Sequence, residues 1–306
     1  MKILVTGACG FIGSNVSMSF ANAGHEVTAL DNLSRAGTEK NLAWLKENKN
    51  ITFVKTDIRD HFNFGEFDVI IHLASQTGVI PSIDDPVEDF EVNARGTLNI
   101  LEYARQMEKK PLVIFASTNK VYGDVRGEKP ITENESLSFC TPYGCSKGTG
   151  DQYMLDYYRV YGLPTVVLRM SCIYGDRQLG TERENGWLCH FMRNIDNPVT
   201  VYGDGTQQRD ALYIDDYVKL IYELIWHQEE VQGQVFNIGG GPENVVSVNE
   251  VLTKIGNTNV TYADWRPSDQ KYYVSDITKI TRTTRWKPTI GIDEGLERLS
   301  KWVKEL

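Results

Sequence analysis

Short apolar runs rich in Val and Ile recur through the first half of the chain, at Lys2–Thr6, Glu26–Leu30, Ile51–Lys55, Val69–Leu73 and Leu112–Ser117. Longer, more polar stretches separate them. Runs of this length read as strands, and the polar stretches between them leave room for helices. The pattern predicts βαβ units, hence an α/β fold with a parallel sheet covered on both faces. Behind Pro86, which suits a first helical turn, Val87, Phe90, Ala94, Leu98, Leu101 and Ala104 recur at three- and four-residue steps, predicting a helix over Pro86–Met107. A second helix is expected over Tyr143–Tyr161, ended by Gly162 and Pro164, and a sixth strand over Pro164–Arg169.

After Arg169 the segments shorten, glycines and aromatics become more frequent, and the alternation blurs. We divide the chain there, into residues 1–168 and a smaller C-terminal α/β lobe over 169–306. In that lobe Val235–Ile238 runs into Gly239-Gly240-Gly241-Pro242 as a strand and sharp turn, with helices expected over Val248–Ile255 and Gly291–Glu305. A ligand then belongs in the cleft beyond the carboxyl ends of the strands.

Composition narrows the function by exclusion. With 306 residues, 41% of them hydrophobic, the chain can bury a large core, and its net charge of −9 without any Lys/Arg run argues against a nucleic-acid partner. The apolar runs are strand-length, too short for a membrane span. No leader is expected before the first strand, and the five cysteines (Cys9, Cys140, Cys145, Cys172, Cys189) have no disulfide or CxxC spacing, which suits reduced thiols in the cytoplasm. The five histidines form no metal-ligand pattern, so no metal is expected.

Chemistry enters with Gly7-Ala8-Cys9-Gly10-Phe11-Ile12-Gly13, directly after the first strand and opening a helix. Gly7 permits a tight turn, Gly10 a close approach of backbone to a pyrophosphate, and Gly13 close helix–strand packing, while N–H groups around Phe11 and Ile12 face the phosphates. Asp31 ends the second strand, 18 residues beyond Gly13, where a carboxylate accepts hydrogen bonds from an adenosine ribose. Strand, loop, helix and acid together predict a Rossmann-type doubly wound parallel sheet that binds NAD. Arg35 is the contrary signal, since an arginine there accommodates the 2′-phosphate of NADP. Asp57 and Ile58, after the third strand, mark an adenine contact, although an aspartate there equally suits a turn that accepts backbone N–H bonds. Asn32, Ser117 and Met170 complete the expected cofactor set.

"TPYGCSK", residues 141–147, places Tyr143 and Lys147 four apart, on one face of a helix. An ammonium near a phenol favours phenolate, so we expect the Tyr143 pKa to be drawn from ~10 toward neutrality. The phenol can then exchange a proton with a substrate alcohol while hydride passes to nicotinamide. Thr118, at the end of the fifth strand, is placed to hydrogen-bond the same alcohol.

"TGACGFIGSN" (6–15), "DNLSR" (31–35), "HLAS" (72–75), "VNARGTL" (92–98), "STNKVYG" (117–123), "PYGCSK" (142–147), "GDGTQQRD" (203–210) and "RPSDQ" (266–270) resemble, over essentially the whole chain, the extended short-chain dehydrogenases/reductases, in particular the nucleotide-sugar epimerases and dehydratases. The resemblance implies Thr118, Tyr143 and Lys147 as the catalytic set. It implies that Leu73, Ala74 and Asn93 line the nicotinamide half of the cofactor site. Arg209 and Arg266 fall where such proteins grip the diphosphate of a nucleotide-diphosphate sugar, a task suited to the guanidinium fork. It also implies a homodimer or tetramer, paired through the helices Pro86–Met107 and Tyr143–Tyr161.

The 4,6-dehydratases carry Asp-Glu directly after the catalytic Thr, the acid and base that eliminate water. Here those positions are Asn119 and Lys120, with Asn119 expected to touch substrate, and an amide and an amine cannot jointly do that work. Oxidation and reduction at one carbon need neither carboxylate, so epimerisation is expected. "STNKVYGD", "PYGCSKGTGDQYMLDY", "YGDRQ" and "RPSDQ" resemble the CDP-paratose (CDP-tyvelose) 2-epimerases. Where 4-epimerases usually place an Asn, this chain has Cys172. It departs from the 2-epimerases in a shorter segment, 17 residues, between Asp124 and Pro142, and in the loop after His72. The alternatives are a UDP-sugar 4-epimerase, a sugar-nucleotide reductase or decarboxylase, and a non-catalytic NAD(P)-binding protein.

Overall fold

The apolar runs pair with one another because each can bury both faces only inside a sheet. The structure, a computed structural model, describes residues 1–60, 63–125, 127–180, 186–266 and 269–306. Strands β1 (Lys2–Thr6), β2 (Glu26–Asp31), β3 (Ile51–Lys55), β4 (Val69–His72), β5 (Leu112–Thr118) and β6 (Thr165–Met170) fall within a residue or two of the predicted runs. After β7 (Cys172–Tyr174), β8 (Val199–Tyr202) and β9 (Gln208–Tyr213), which lie elsewhere, β10 (Gln234–Ile238) returns to the same sheet. Its order is β10-β6-β5-β4-β1-β2-β3, and every pairing is parallel. This is the doubly wound order, whose reversal between β1 and β4 opens a crevice at the carboxyl ends.

The division at 168/169 assigns residues 234–238 to the second lobe; the sheet instead takes them as its edge strand beside β6. Phe236 and Ile238 are wholly buried there. The two lobes therefore interleave along the chain.

One face of the sheet carries α1 (Phe11–Asn22) and α2 (Thr38–Leu45). On the other side α3 (Val79–Asp84), α4 (Pro86–Phe90), a π-helical turn over Glu91–Arg95, α5 (Gly96–Gln106) and α6 (Pro142–Tyr161) follow, with α5 and α6 sharing a core with β4 and β5. The helix expected over Pro86–Met107 is thus widened in its middle. Pro142 at the first turn of α6, a Thr141 hydroxyl accepting from Gly144 N at 3.0 Å and a left-handed Gly162 at its end account for its limits.

In the second lobe α7 (Trp187–Arg193) precedes β8, α8 (Ile214–Trp226) and α9 (Gln228–Val231) follow β9, and β11 (Val245–Ser247) leads into α10 (Val248–Ile255). A Ser247/Glu250 capping box starts α10. β12 (Val260–Ala263) pairs with β8, and β9 is flanked by β7, β11 and β13 (Tyr272–Tyr273). α11 (Thr278–Thr284) and α12 (Ile292–Val303) end the chain, α8 and α12 packing into the same core as α1. Buried Asp210 ties β9 to both lobes, accepting from Ser171 Oγ at 2.5 Å, Ser275 N at 3.1 Å and Gly241 N at 3.2 Å. No helix among the described residues is long and apolar enough to cross a membrane.

Candidate active site

A cleft of about 600 Å³ runs from the glycine loop, past the ends of β5 and β6, to the second lobe. Gly7, Phe11, Ile12, Gly13, Arg35, Leu73, Ser117, Thr118, Asn119, Tyr143, Lys147, Met170, Arg209 and Arg266 all line it. Gly7 is left-handed (φ +68°), and a Cβ there would stand 2.7 Å from Ala74 N; a Cβ on Gly13 would stand 2.1 Å from the Gly7 carbonyl. The bare backbone thus lets β1, the first turn of α1 and the end of β4 converge. Thr6 Oγ1 braces this corner, accepting from Leu73 N and Ala74 N at 3.2 Å and bonding His72 Nδ1 at 2.7 Å.

Beside the loop, Asp31 accepts from Cys9 N at 2.9 Å and Leu33 N at 2.8 Å. Room for a pyrophosphate over a helix N-terminus, with a carboxylate fixed one strand away, fits a dinucleotide. Arg35 turns its guanidinium into the cleft and donates to Thr77 Oγ1. Asp57 is held by other protein groups: Arg59 donates from N, Nε and Nη2 and Asn32 from Nδ2, all within 2.9 Å. The Arg59 bonds are the main reason its carboxyl falls to about 2. Gly10, Asp31, Asn32, Asp57, Ile58, Ala74 and Asn93, all expected at the cofactor, do not line the cleft. The Ile58 side chain is core, and Asn93 stands behind the site.

Thr118 ends β5, and α6 brings Tyr143 and Lys147 up beside it, all three buried. Tyr143 N donates to Ser82 Oγ at 3.1 Å, and the Lys147 ammonium lies 4.3 Å from the centre of the Phe115 ring. The electrostatics differ from the expectation of a phenol drawn toward neutrality. Burial pushes Tyr143 up to about 12, opposed by its hydrogen bond with Thr118. Burial also draws Lys147 down to about 7, opposed by Asp89 and Asp151. Both charged forms lose water's solvation here, and for each group that loss is the largest influence on its pKa.

Periodicity did not disclose the groups behind the pair. In the π-helical turn, Asn93 Nδ2 donates to Asp89 Oδ1 at 3.0 Å, Ser146 Oγ at 3.1 Å and the Gln76 carbonyl at 3.2 Å. Asp89 is buried, and that burial raises its pKa. Asp151 is locked by Arg169, whose Nε and Nη2 donate at 2.8 and 3.0 Å, and by Ser117 Oγ at 3.1 Å. The available signal in the sequence was an acid one helical turn after Lys147, Asp151.

At the far end of the cleft, Arg209 donates to the carbonyls of Gln208 at 2.7 Å and Gln270 at 2.5 Å, and Arg266 stacks on Tyr202 at 3.8 Å. Pro267 and Ser268 of the "RPSDQ" segment lie outside the described residues. Asn119 is buried with Nδ2 3.5 Å from Gln270 Oε1, while Cys172 accepts from Trp187 Nε1 at 3.3 Å.

In comparison with known proteins, residues 3–239 match the NAD dependent epimerase/dehydratase family. The chain belongs to that family. It is an NAD-dependent enzyme. CDP-paratose 2-epimerase from Salmonella typhi is 38% identical, covering the whole of both chains. A putative UDP-glucose 4-epimerase from Methanocaldococcus jannaschii is 35% identical over 99% of this chain and 98% of its own. Among solved structures, UDP-glucuronic acid 4-epimerase from Bacillus cereus, in complex with UDP-glucuronic acid and NAD, superimposes with a TM-score of 0.91 at 28% identity, covering 100% of this chain and 99% of that one.

Proposed function

We propose that the enzyme inverts C2 of a CDP-activated hexose by transient oxidation to a keto-sugar. The observation that carries this reading is the pair after Thr118: an amide and an amine leave the site able to move a proton and hydride at one carbon and unable to eliminate water. The full-length likeness to a CDP-paratose 2-epimerase supports the choice of carbon and base. NAD, when bound, accepts the hydride from the sugar carbon and returns it.

Within the chain, Gly7, Gly10, Phe11, Ile12, Gly13, Asp31 and Asn32 hold the cofactor, with Leu73, Ser117 and Met170 at its nicotinamide end. Tyr143 carries the proton of the reacting hydroxyl, and Thr118 holds the oxygen as charge develops on it. Lys147 supplies the positive charge that a phenolate requires, and Asp89 and Asp151 help it keep its proton against burial. Arg209 and Arg266 anchor the diphosphate while the sugar reorients. Cys172 stands in the cleft where an Asn is usual in the 4-epimerases. The reading includes a cytoplasmic enzyme that pairs through α4, α5 and α6.

The test is a panel of CDP-, UDP- and GDP-hexoses, scored by NMR for inversion at each carbon. We expect inversion at C2, with deuterium placed on C2 retained there and no accumulation of NADH. Tyr143→Phe should cut turnover by ~10²–10⁴, the worth of a general acid–base group. Inversion at C4 of a UDP-hexose would favour the second reading, for which the likeness to a putative UDP-glucose 4-epimerase speaks.

A further inference from the structure

Lys120 is a charged side chain of the cleft that this mechanism leaves without a task, and it stands beside the reacting end. It follows Thr118 and Asn119 in the 3₁₀ turn Asn119–Tyr122, and its backbone N donates to Thr118 Oγ1 at 3.2 Å, fixing it relative to the reacting end. Among the described residues nothing hydrogen-bonds or ion-pairs its ammonium. The charged and titratable groups around it are Arg209, Asp269, Cys172 and Cys140; burial and then Arg209 draw its pKa down, to about 8. Lys120 and Arg209 repel one another across the cleft with the Asp269 carboxylate as a partial offset, and a further anion between the two cations relieves what remains.

The proposed substrate carries such an anion, and the chemistry says where it falls. In a nucleotide sugar, C2 is bonded directly to the anomeric carbon, whose oxygen bears the sugar-linked phosphate. When C2 faces Thr118 and Tyr143, that phosphate must lie beside the residues adjoining Thr118. When C4 faces them, the ring stands between. Resting on the nucleotide-sugar reading above, we propose that Lys120 binds the sugar-linked phosphate, forms a three-cation clamp with Arg209 and Arg266, and thereby presents C2 rather than C4 to the catalytic pair. A lysine suits the task, because a point charge on a flexible stem can follow the phosphate while the sugar turns.

The test is calorimetric binding of CDP, CMP, UDP and UMP to the NAD-loaded enzyme and to its Lys120→Met and Lys120→Arg variants. The diphosphates keep the sugar-linked phosphate and the monophosphates lack it. We expect Lys120→Met to lower the diphosphate-to-monophosphate affinity ratio by roughly 10–100-fold, the scale of one charge-assisted contact. Monophosphate affinity should stay unchanged, and Lys120→Arg should keep most of the ratio. A ratio unaltered by Lys120→Met, or equal weakening of both nucleotides, would overturn the contact. Preference for uridine over cytidine in the wild type would refute the cytidine reading while the UDP/UMP ratio still decides Lys120. Inversion at C4 alone would overturn the selection of C2, whatever the ratio.

Discussion

Lys147 is held between opposing forces, and both can be measured in the cofactor-free protein. Its folded pKa of about 7 lies below the ordinary 10.5. Between these values the unfolded chain binds a proton that the folded chain does not, so this residue makes folding more favourable as pH rises through that window. Lys120, drawn down to about 8, adds the same sign over a narrower range. Lys147→Met should therefore flatten part of the rise in urea-unfolding stability from about pH 7 to 10.5. Asp89→Asn removes one of the carboxylates that hold the ammonium and should move the Lys147 titration, followed by side-chain NMR, further below about 7. An unmoved midpoint would show that Asp89 does not sense Lys147.

At the scale of elements, the joint between β1 and α1 tolerates least. An alanine Cβ at position 13 would stand 2.1 Å from the Gly7 carbonyl, so α1 would have to withdraw from the turn proposed to cradle the phosphates. We expect Gly13→Ala to weaken NAD binding at least tenfold and to lower the melting temperature, both read by thermal shift with and without NAD. Undiminished NAD affinity would mean that the cradle adjusts. The π-helical turn over Glu91–Arg95 carries a different lesson. Apolar steps of three and four residues identify a helix but do not reveal one extra residue in a turn. That residue's worth of offset brings Asn93 to Asp89, Ser146 and Gln76 at once. π-bulges recur at functional sites for this kind of reason.

For the whole molecule, the outer surfaces of α4 and α6 matter. Val87 is 70% exposed, Phe90 52% and Val160 67%, a concentration of apolar side chains that water solvates poorly. If these helices pair as proposed, sedimentation at micromolar concentration should give a dimer or tetramer, and Val87→Glu with Val160→Glu should give monomers. A strictly monomeric wild type would defeat the pairing. Because α6 also carries Tyr143 and Lys147, the same double variant should lower activity in proportion to monomer formed.

The sequence by itself determined the parallel sheet, because runs such as Val69–His72 and Leu112–Thr118 are too apolar to lie anywhere but between two layers of helix. It also placed the turn at Gly7 and the i,i+4 pair Tyr143–Lys147, which depend on local geometry, while the reaction class came from the resemblance to the nucleotide-sugar epimerases and dehydratases. Tertiary structure decided what depends on distant partners. Residues 234–238 joined the large sheet by pairing with β6, a partner more than 60 residues away in the chain. Asp57 took Arg59 and Asn32 as its partners. Tyr143 is pushed up and Lys147 down because burial, which no short stretch of sequence specifies, is the largest influence on each.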